Sequence, residues 1–207
     1  MAQTRYPIPA ETIRVEIRVI NSRFIATIGE ARSAEEARAF IAAVREEFAD
    51  ATHNVYAFRA GYAGSVTEGM SDDGEPAGTA GRPALSVLRG ADLGDVVLVI
   101  TRYFGGTKLG TGGLVRAYTQ AAQAALEALP RSERVERRKG VVVVPYAFYE
   151  RLRRLVDSTN GEVLAEEFAA DVTLTLRFAV DDISEFEGSL RELTSSSADV
   201  VWVETQD

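Results

Sequence analysis

Apolar and polar positions along this chain follow two rhythms, one of period two and one of three to four. Between Thr12 and Gly29 two β-branched runs, Ile13–Ile20 and Phe24–Ile28, flank Asn21-Ser22. Runs of this kind around a turn pair predict a hairpin. Ser33-Ala34-Glu35-Glu36 then places a glutamate three residues after a serine, the pattern of a capping box. Ala37, Phe40, Ile41, Val44 and Phe48 follow at helical spacing with charge between them, which predicts an amphipathic helix. His53–Ala60 reads as a third strand, followed by a glycine- and acid-rich loop from Gly61 to about Gly81.

Pro83 and Gly90 bracket a short helical stretch, proline inside its start and glycine past its end. Asp95–Thr101 is continuously apolar from Val96 to Ile100, as expected of a strand buried on both faces. A second glycine loop covers Gly105–Gly113. A long helix starts near Thr111 or Gly112, with Leu114, Val115, Tyr118, Ala121, Ala122, Ala125 and Leu126 on one face. Pro130–Lys139 is charged and poor in apolar residues, which marks a boundary between domains at 1–138 and 139–207. Beyond it, Gly140–Val144 is a strand ended by Pro145, and Phe148, Leu152, Leu155 and Val156 mark a helix. Val163–Phe168 and Val172–Val180 are strands, Ile183, Phe186, Leu190 and Leu193 mark a helix, and Val200–Val203 closes as a strand. The order β-α-β-β-α-β is that of a ferredoxin-like split βαβ domain. The expected class is therefore α+β in two domains.

Composition narrows the chemistry. The 207 residues include no cysteine and one histidine, His53, which excludes disulfides, thiolate metal sites, cysteine nucleophiles and multi-histidine metal clusters. No run approaches the ~18 apolar residues of a membrane helix, and Met1–Pro7 lacks the apolar stretch of a secretory signal. A cytoplasmic setting is the expectation. Residues 1–138 carry 17 basic and 17 acidic side chains, whereas 139–207 carry 6 and 14, the whole of the net −8. The first domain can therefore meet a polyanion, and the acidic second one is suited to orientation or to a basic protein partner.

Five of the nine residues from Gly105 to Gly113 are glycine, and the run leads into a helix. Glycines admit a ligand close to backbone N–H groups, and a helix N-terminus adds unpaired donors, so the combination suits a phosphate or other anion. The candidate contacts are Arg102, Tyr103, Gly105, Gly106, Lys108, Thr111, Gly112, Gly113 and Arg116. Lys108 is followed by Leu109, so this is not a P-loop, and the dinucleotide fingerprint lacks its last glycine. A tight strand-to-helix connection would also use these glycines. In Ser71–Pro83, Asp72, Asp73 and Glu75 are hard oxygen donors without EF-hand spacing. They either solvate the loop or clamp Arg82 or Arg102, and no metal or cofactor is assigned to them. His53 reads as a hydrogen-bonded structural residue or an acid–base group. Tyr103 and Phe104 either stack on bases or anchor the loop. The serines lack a nucleophile elbow, so binding is favoured over catalysis.

Ser71-Asp72-Asp73-Gly74-Glu75-Pro76-Ala77-Gly78-Thr79-Ala80-Gly81 and Val99 through Tyr118 (VITRYFGGTKLGTGGLVRAY), with Ser22–Ala26 and His53–Ala57, resemble the signature of the IMPACT/YigZ family. The resemblance spans roughly residues 15–130, and the C-terminal part resembles the small domain of the bacterial members. It implies an N-terminal α/β sandwich like domain two of ribosomal protein S-five, the superfamily that holds domain IV of elongation factor G. It also implies a ferredoxin-like second domain resembling domain V of that factor. For function, it implies translation regulation through RNA or ribosome contact. The rival reading is an enzyme on a small phosphorylated metabolite, with Asp72 or Asp73 holding Mg²⁺ and a pocket of a few hundred Å³ between the loops. A third is a protein-interaction module with no nucleic-acid contact.

Overall fold

The computed structural model describes residues 4–203; Met1–Gln3, part of the stretch read for a secretory signal, lies outside the described residues. Two compact units, Met1–Arg134 and Val135–Asp207, make up the chain. The first contains β1 (Arg5–Pro9), β2 (Ile13–Val19), β3 (Ser22–Glu30), α1 (Ala34–Glu47), β4 (His53–Tyr62), β5 (Ser65–Ser71), α2 (Gly81–Gly90), β6 (Val96–Tyr103) and α3 (Gly110–Ala128). β7 (Arg131–Val135) pairs with β1 as a separate ribbon.

The main sheet of this unit has the order β2-β3-β6-β4-β5, and every neighbouring pair is antiparallel. On one face Phe24, Ile28, Val55, Leu98 and Ile100 pack against α2 and α3. On the other, Phe58, Val97 and Val99 pack against Ala37, Ile41 and Val44 of α1. β6 is central and covered on both sides, which is why its sequence is continuously apolar rather than alternating. The α1 capping box forms, Ser33 Oγ accepting from the Glu36 N–H at 3.2 Å. Its return bond comes one residue early, from the Arg32 N–H to Glu36 Oε2 at 2.8 Å.

One expectation is corrected. Gly61–Gly81 is not one loop, because Ser65–Ser71 folds back on β4 with Tyr62 opposite Ser65. β5 is an edge strand with only Val66 and Met70 as large apolar residues, and Met70 is 41% exposed, so it carries no strong strand pattern. Through the charged Pro130–Lys139 segment run β7 and the start of β8 (Arg137–Val144). A ribbon with mostly solvent-facing side chains has no apolar alternation to show.

The second unit contains β8, α4 (Tyr146–Ser158), β9 (Glu162–Phe168), β10 (Val172–Ala179), α5 (Ile183–Thr194) and β11 (Val200–Val203). Its sheet runs β11-β8-β10-β9, so the last strand lies beside the first and the third separates first from second. That is the ferredoxin-like arrangement. Val142, Val144, Leu174, Leu176 and Phe178 meet Leu152, Val156, Phe186 and Leu190 of the two helices in a single core.

Candidate functional site

The acidic loop leaves β5 and turns its carboxylates inward. Asp72 Oδ1 accepts from the N–H groups of Ala80 and Gly81 at 3.1 and 2.8 Å, and Oδ2 from that of Gly78 at 2.8 Å. Ala80 at the cap of α2 has no side-chain acceptor, so Asp72 supplies it from eight residues away. Burial alone would raise the Asp72 carboxyl. The three N–H donors and the charge of Arg82 outweigh it, and its pKa lies below the ordinary aspartate value.

Asp73 adopts a left-handed conformation at φ 47°. Its Oδ1 pairs with Arg45 at 2.5 Å and its Oδ2 accepts from the Asn54 N–H at 2.6 Å. His53 Nδ1 lies 2.7 Å from the Asp73 carbonyl oxygen. A carbonyl only accepts, so Nδ1 carries the proton, and Nε2 is left 3.8 Å from Glu75 Oε2.

Glu75 is the centre of the arrangement. Its Oε1 accepts from Arg102 NH1 at 2.6 Å and from the Tyr118 hydroxyl at 2.8 Å, and both charged side chains are nearly sealed from water, at 3% and 6% exposure. Arg102 NH2 reaches Ser22 Oγ at 3.1 Å, while Nε is buried without an acceptor. The guanidinium carbon lies over the rings of both Phe24 and Phe104, at 5.4 and 5.6 Å. Tyr118 has its hydroxyl pKa raised far above the ordinary value, by burial first and by the Glu75 charge second. Of the two arginines open to a clamp, Arg102 is the one that Glu75 holds.

The glycine loop follows β6. A Cβ at Gly105 would stand 1.9 Å from the Asn21 carbonyl oxygen, so the β2–β3 turn and this loop meet backbone to backbone. Gly106 and Gly110 have φ of +83° and +70°. Gly112 differs: its φ is not positive, and a Cβ there meets nothing within 4 Å. α3 begins at Gly110 with no side-chain cap and no acidic residue in its first turn. Tyr103 is engaged, its hydroxyl donating to Asp50 at 2.7 Å and Arg23 lying over its ring. Phe104 is 46% exposed, with its backbone N–H fixed to Thr52 Oγ1 at 3.0 Å.

Among the described residues of the first unit, Arg82, Lys108 and Arg116 have no ion pair or side-chain hydrogen bond. Every other arginine there has a carboxylate or carbonyl partner. All three are exposed and lie on or beside α2 and α3, which cover the same face of the sheet. A cavity of about 330 Å³ opens between the two loops, walled by Glu75, Pro76, Arg102, Phe104, Lys108, Thr111 and Leu114, and a wider groove of about 790 Å³ runs between α2 and α3 past Arg82, Val115 and Arg131. In the second unit, Arg153 pairs with Glu166 at 3.5 Å, while Arg151 and Arg154 line a shallow groove between α4 and α5.

The structure thus brings Asp72, Asp73, Glu75, His53 and Arg102 together as a frame in which Glu75 and Arg102 are buried and the other three half-buried, and leaves Lys108, Thr111, Gly112 and Arg116 exposed. Sequence reasoning missed Tyr118, which reads as an ordinary core position of α3. A tyrosine on a core-facing stripe needs a partner for its hydroxyl, and that is the signal that points to it. Ser22, Arg45 and the buried Thr101–Asn54 bond at 2.7 Å were missed as well, and carry no comparable signal.

Residues 20–126, which include both loops, match the Impact N-terminal domain, and residues 142–197 match a domain of unknown function, DUF1949. The chain is similar to an IMPACT family member of Haemophilus influenzae, 38% identical over 191 residues that cover 92% of this chain and 93% of that protein. It is also 33% identical to IMPACT family member YigZ of Escherichia coli, over 95% and 97% of the two chains. A solved structure of a hypothetical protein superposes with a TM-score of 0.69 at 33% identity, covering 99% of this chain and all of the other. Among the described residues, no helix is long and apolar enough to cross a membrane.

Proposed function

The chain belongs to the IMPACT family, and on that footing we propose that it is a binding protein of the translation apparatus that grips RNA phosphates with its first unit. The observation that carries the reading is the pairing pattern. Among the described cations of that unit, Arg82, Lys108 and Arg116 are the ones left without an ion pair or hydrogen bond, and Lys108 and Arg116 flank the start of α3, which has no side-chain cap. Free cations and unpaired N–H groups on one face are what a polyanion requires. Arg102 belongs to the frame rather than to the free surface cations, since its charge is spent on Glu75. The acidic second unit repels phosphate and would meet a basic protein. A ribosome offers RNA and basic proteins together, which suits this division of charge.

A second reading rests on the 330 Å³ cavity, whose size and two-loop walls fit a small phosphorylated molecule. Catalysis with Asp72 or Asp73 as a Mg²⁺ ligand gains nothing from the geometry, because their oxygens are committed to backbone N–H groups and to Arg45.

The test is titration of the full chain with fluorescent single-stranded RNA and with ribosomal subunits at several salt concentrations. RNA binding that weakens with salt, at about 0.7 log units per log unit of salt for each phosphate contacted, supports the reading. Ribosome binding indifferent to salt and to loss of Lys108 and Arg116 points to a protein contact. No binding to RNA or ribosome rejects the reading.

A further inference from the structure

The phosphate reading says which face meets RNA. Resting on it, we propose that the cavity between the two loops is a nucleotide pocket, which takes one unpaired nucleotide with its base on Phe104 and its phosphate at the start of α3.

Four features of the cavity point to this ligand. Phe104 presents a ring that is 46% exposed although its backbone is pinned by Thr52, so the exposure is built in. The Arg102 guanidinium lies over that ring at 5.6 Å, and a cation and an aromatic ring lining one cavity are the pair on which a base stacks. Arg102 itself is 5% exposed and lines the cavity, and its Nε–H is buried without an acceptor among the protein's own groups. Lys108 and Thr111 stand at the rim beside the uncapped α3, where unpaired N–H groups and the helix dipole favour a phosphate. Glu75 in the same wall does not oppose the anion, because Arg102 neutralises it at 2.6 Å.

The volume sets the class of ligand. At about 330 Å³ the cavity lies at the small end of small-molecule sites, roughly 300–1,000 Å³. It accepts one nucleotide and excludes a stacked duplex, so a base must leave its stack to enter. The shared chemistry is a nucleoside phosphate, from a single-stranded RNA or from a free nucleotide.

The experiment uses the full chain, with fluorescent oligouridylate, an RNA duplex and uridine monophosphate as probes and with Phe104→Ala, Phe104→Trp and Lys108→Ala. Phe104→Ala should weaken oligouridylate binding by roughly fivefold to a hundredfold, the range for loss of one stacked base, without changing the salt slope. Phe104→Trp should restore it, and duplex binding should not respond to either. Equal binding of single strand and duplex, with Phe104→Ala behaving as wild type, overturns the pocket and leaves the phosphate reading standing. Phe104-dependent binding of uridine monophosphate with no RNA binding supports the pocket, names the free nucleotide as its ligand and rejects the RNA reading. No binding of any probe overturns both.

Discussion

Arg102 and Glu75 form a sealed ion pair, 2.6 Å apart, that joins the end of β6 to the acidic loop across 27 positions of sequence. Tyr118 from α3 and Ser22 from β3 complete it, so four separate segments meet on these two side chains. A pair of this kind adds little net stability over an apolar pair of the same shape, yet loss of one partner strands a charge away from water. Its value to the fold is that it fixes where both loops sit.

Removing one half should therefore be costly. Glu75→Ala is expected to destabilise the first unit by about 3–5 kcal/mol, the range for breaking a buried pair. The double change Glu75→Leu with Arg102→Met should recover much of that loss, since no charge is left behind. Urea unfolding of the two variants beside the wild type checks it, and equal midpoints for the single and double variants would contradict the assignment.

Asp72 gives a pH dependence with a definite sign. Its folded pKa lies below the ordinary 3.8, held there against burial by the Gly78, Gly81 and Ala80 N–H groups and by Arg82. A depressed carboxyl contributes stability that is fully present above the unfolded value and disappears as pH falls through the folded one. Wild-type stability should thus decline below about pH 4, a window set by the aspartate reference pKa. Asp72→Asn should be less stable at neutral pH by about 1.5–3 kcal/mol, as for hydrogen bonds to a charged group, and should show a shallower acid decline. Thermal melts from neutral to acid pH read both.

Lys108→Ala and Arg116→Ala should leave stability nearly unchanged, within about 0.5 kcal/mol, because neither has a partner to lose; Arg82→Ala should cost somewhat more, because its charge supports the Asp72 carboxylate. Each should weaken RNA binding across sequences and lower the salt slope by about 0.7 for each phosphate lost. Arg89→Ala serves as the control, since Arg89 is exposed but committed to Glu68 at 2.6 Å. If Arg89→Ala lowers the slope as much as Lys108→Ala, the unpaired cations are not the contact.

Periodicity revealed whatever buries an apolar stripe. α1 and the whole β-α-β-β-α-β order of the second unit follow from it, because each element packs one face against a core, whereas the central β6, covered on both faces, shows as a continuous apolar run. β5 and the β1–β7 ribbon escaped because an edge strand and an isolated ribbon bury too little to pattern their sequence. The site divides along the same line. Gly105–Gly113 and Ser71–Gly81 stand out by composition, but composition does not tell which way a carboxylate turns. Asp72 turns to N–H groups of its own loop, while Asp73 finds the Asn54 N–H, and Glu75 finds Arg102 and Tyr118, only after the fold has brought β4, β6 and α3 together. Lys108 and Arg116 were legible as cations from the outset, whereas their lack of partners is a property of the fold alone.

Two glycines of the same loop separate what the fold needs from what a ligand needs. Gly105→Ala puts a methyl 1.9 Å from the Asn21 carbonyl oxygen, so the turn and the loop must part, and this variant should lose stability by about 1–3 kcal/mol, as overpacking does. Gly112 is under no such demand: it sits in the first turn of α3 in open space, where alanine is the better helix former. Gly112→Ala should raise stability by about 0.5–1 kcal/mol. If a phosphate approaches the α3 N–H groups, the same methyl obstructs it, and RNA affinity should fall while the melting temperature rises. A gain in stability with no change in affinity would mean that the helix start meets no ligand, and would leave Lys108 and Arg116 to hold RNA by charge alone.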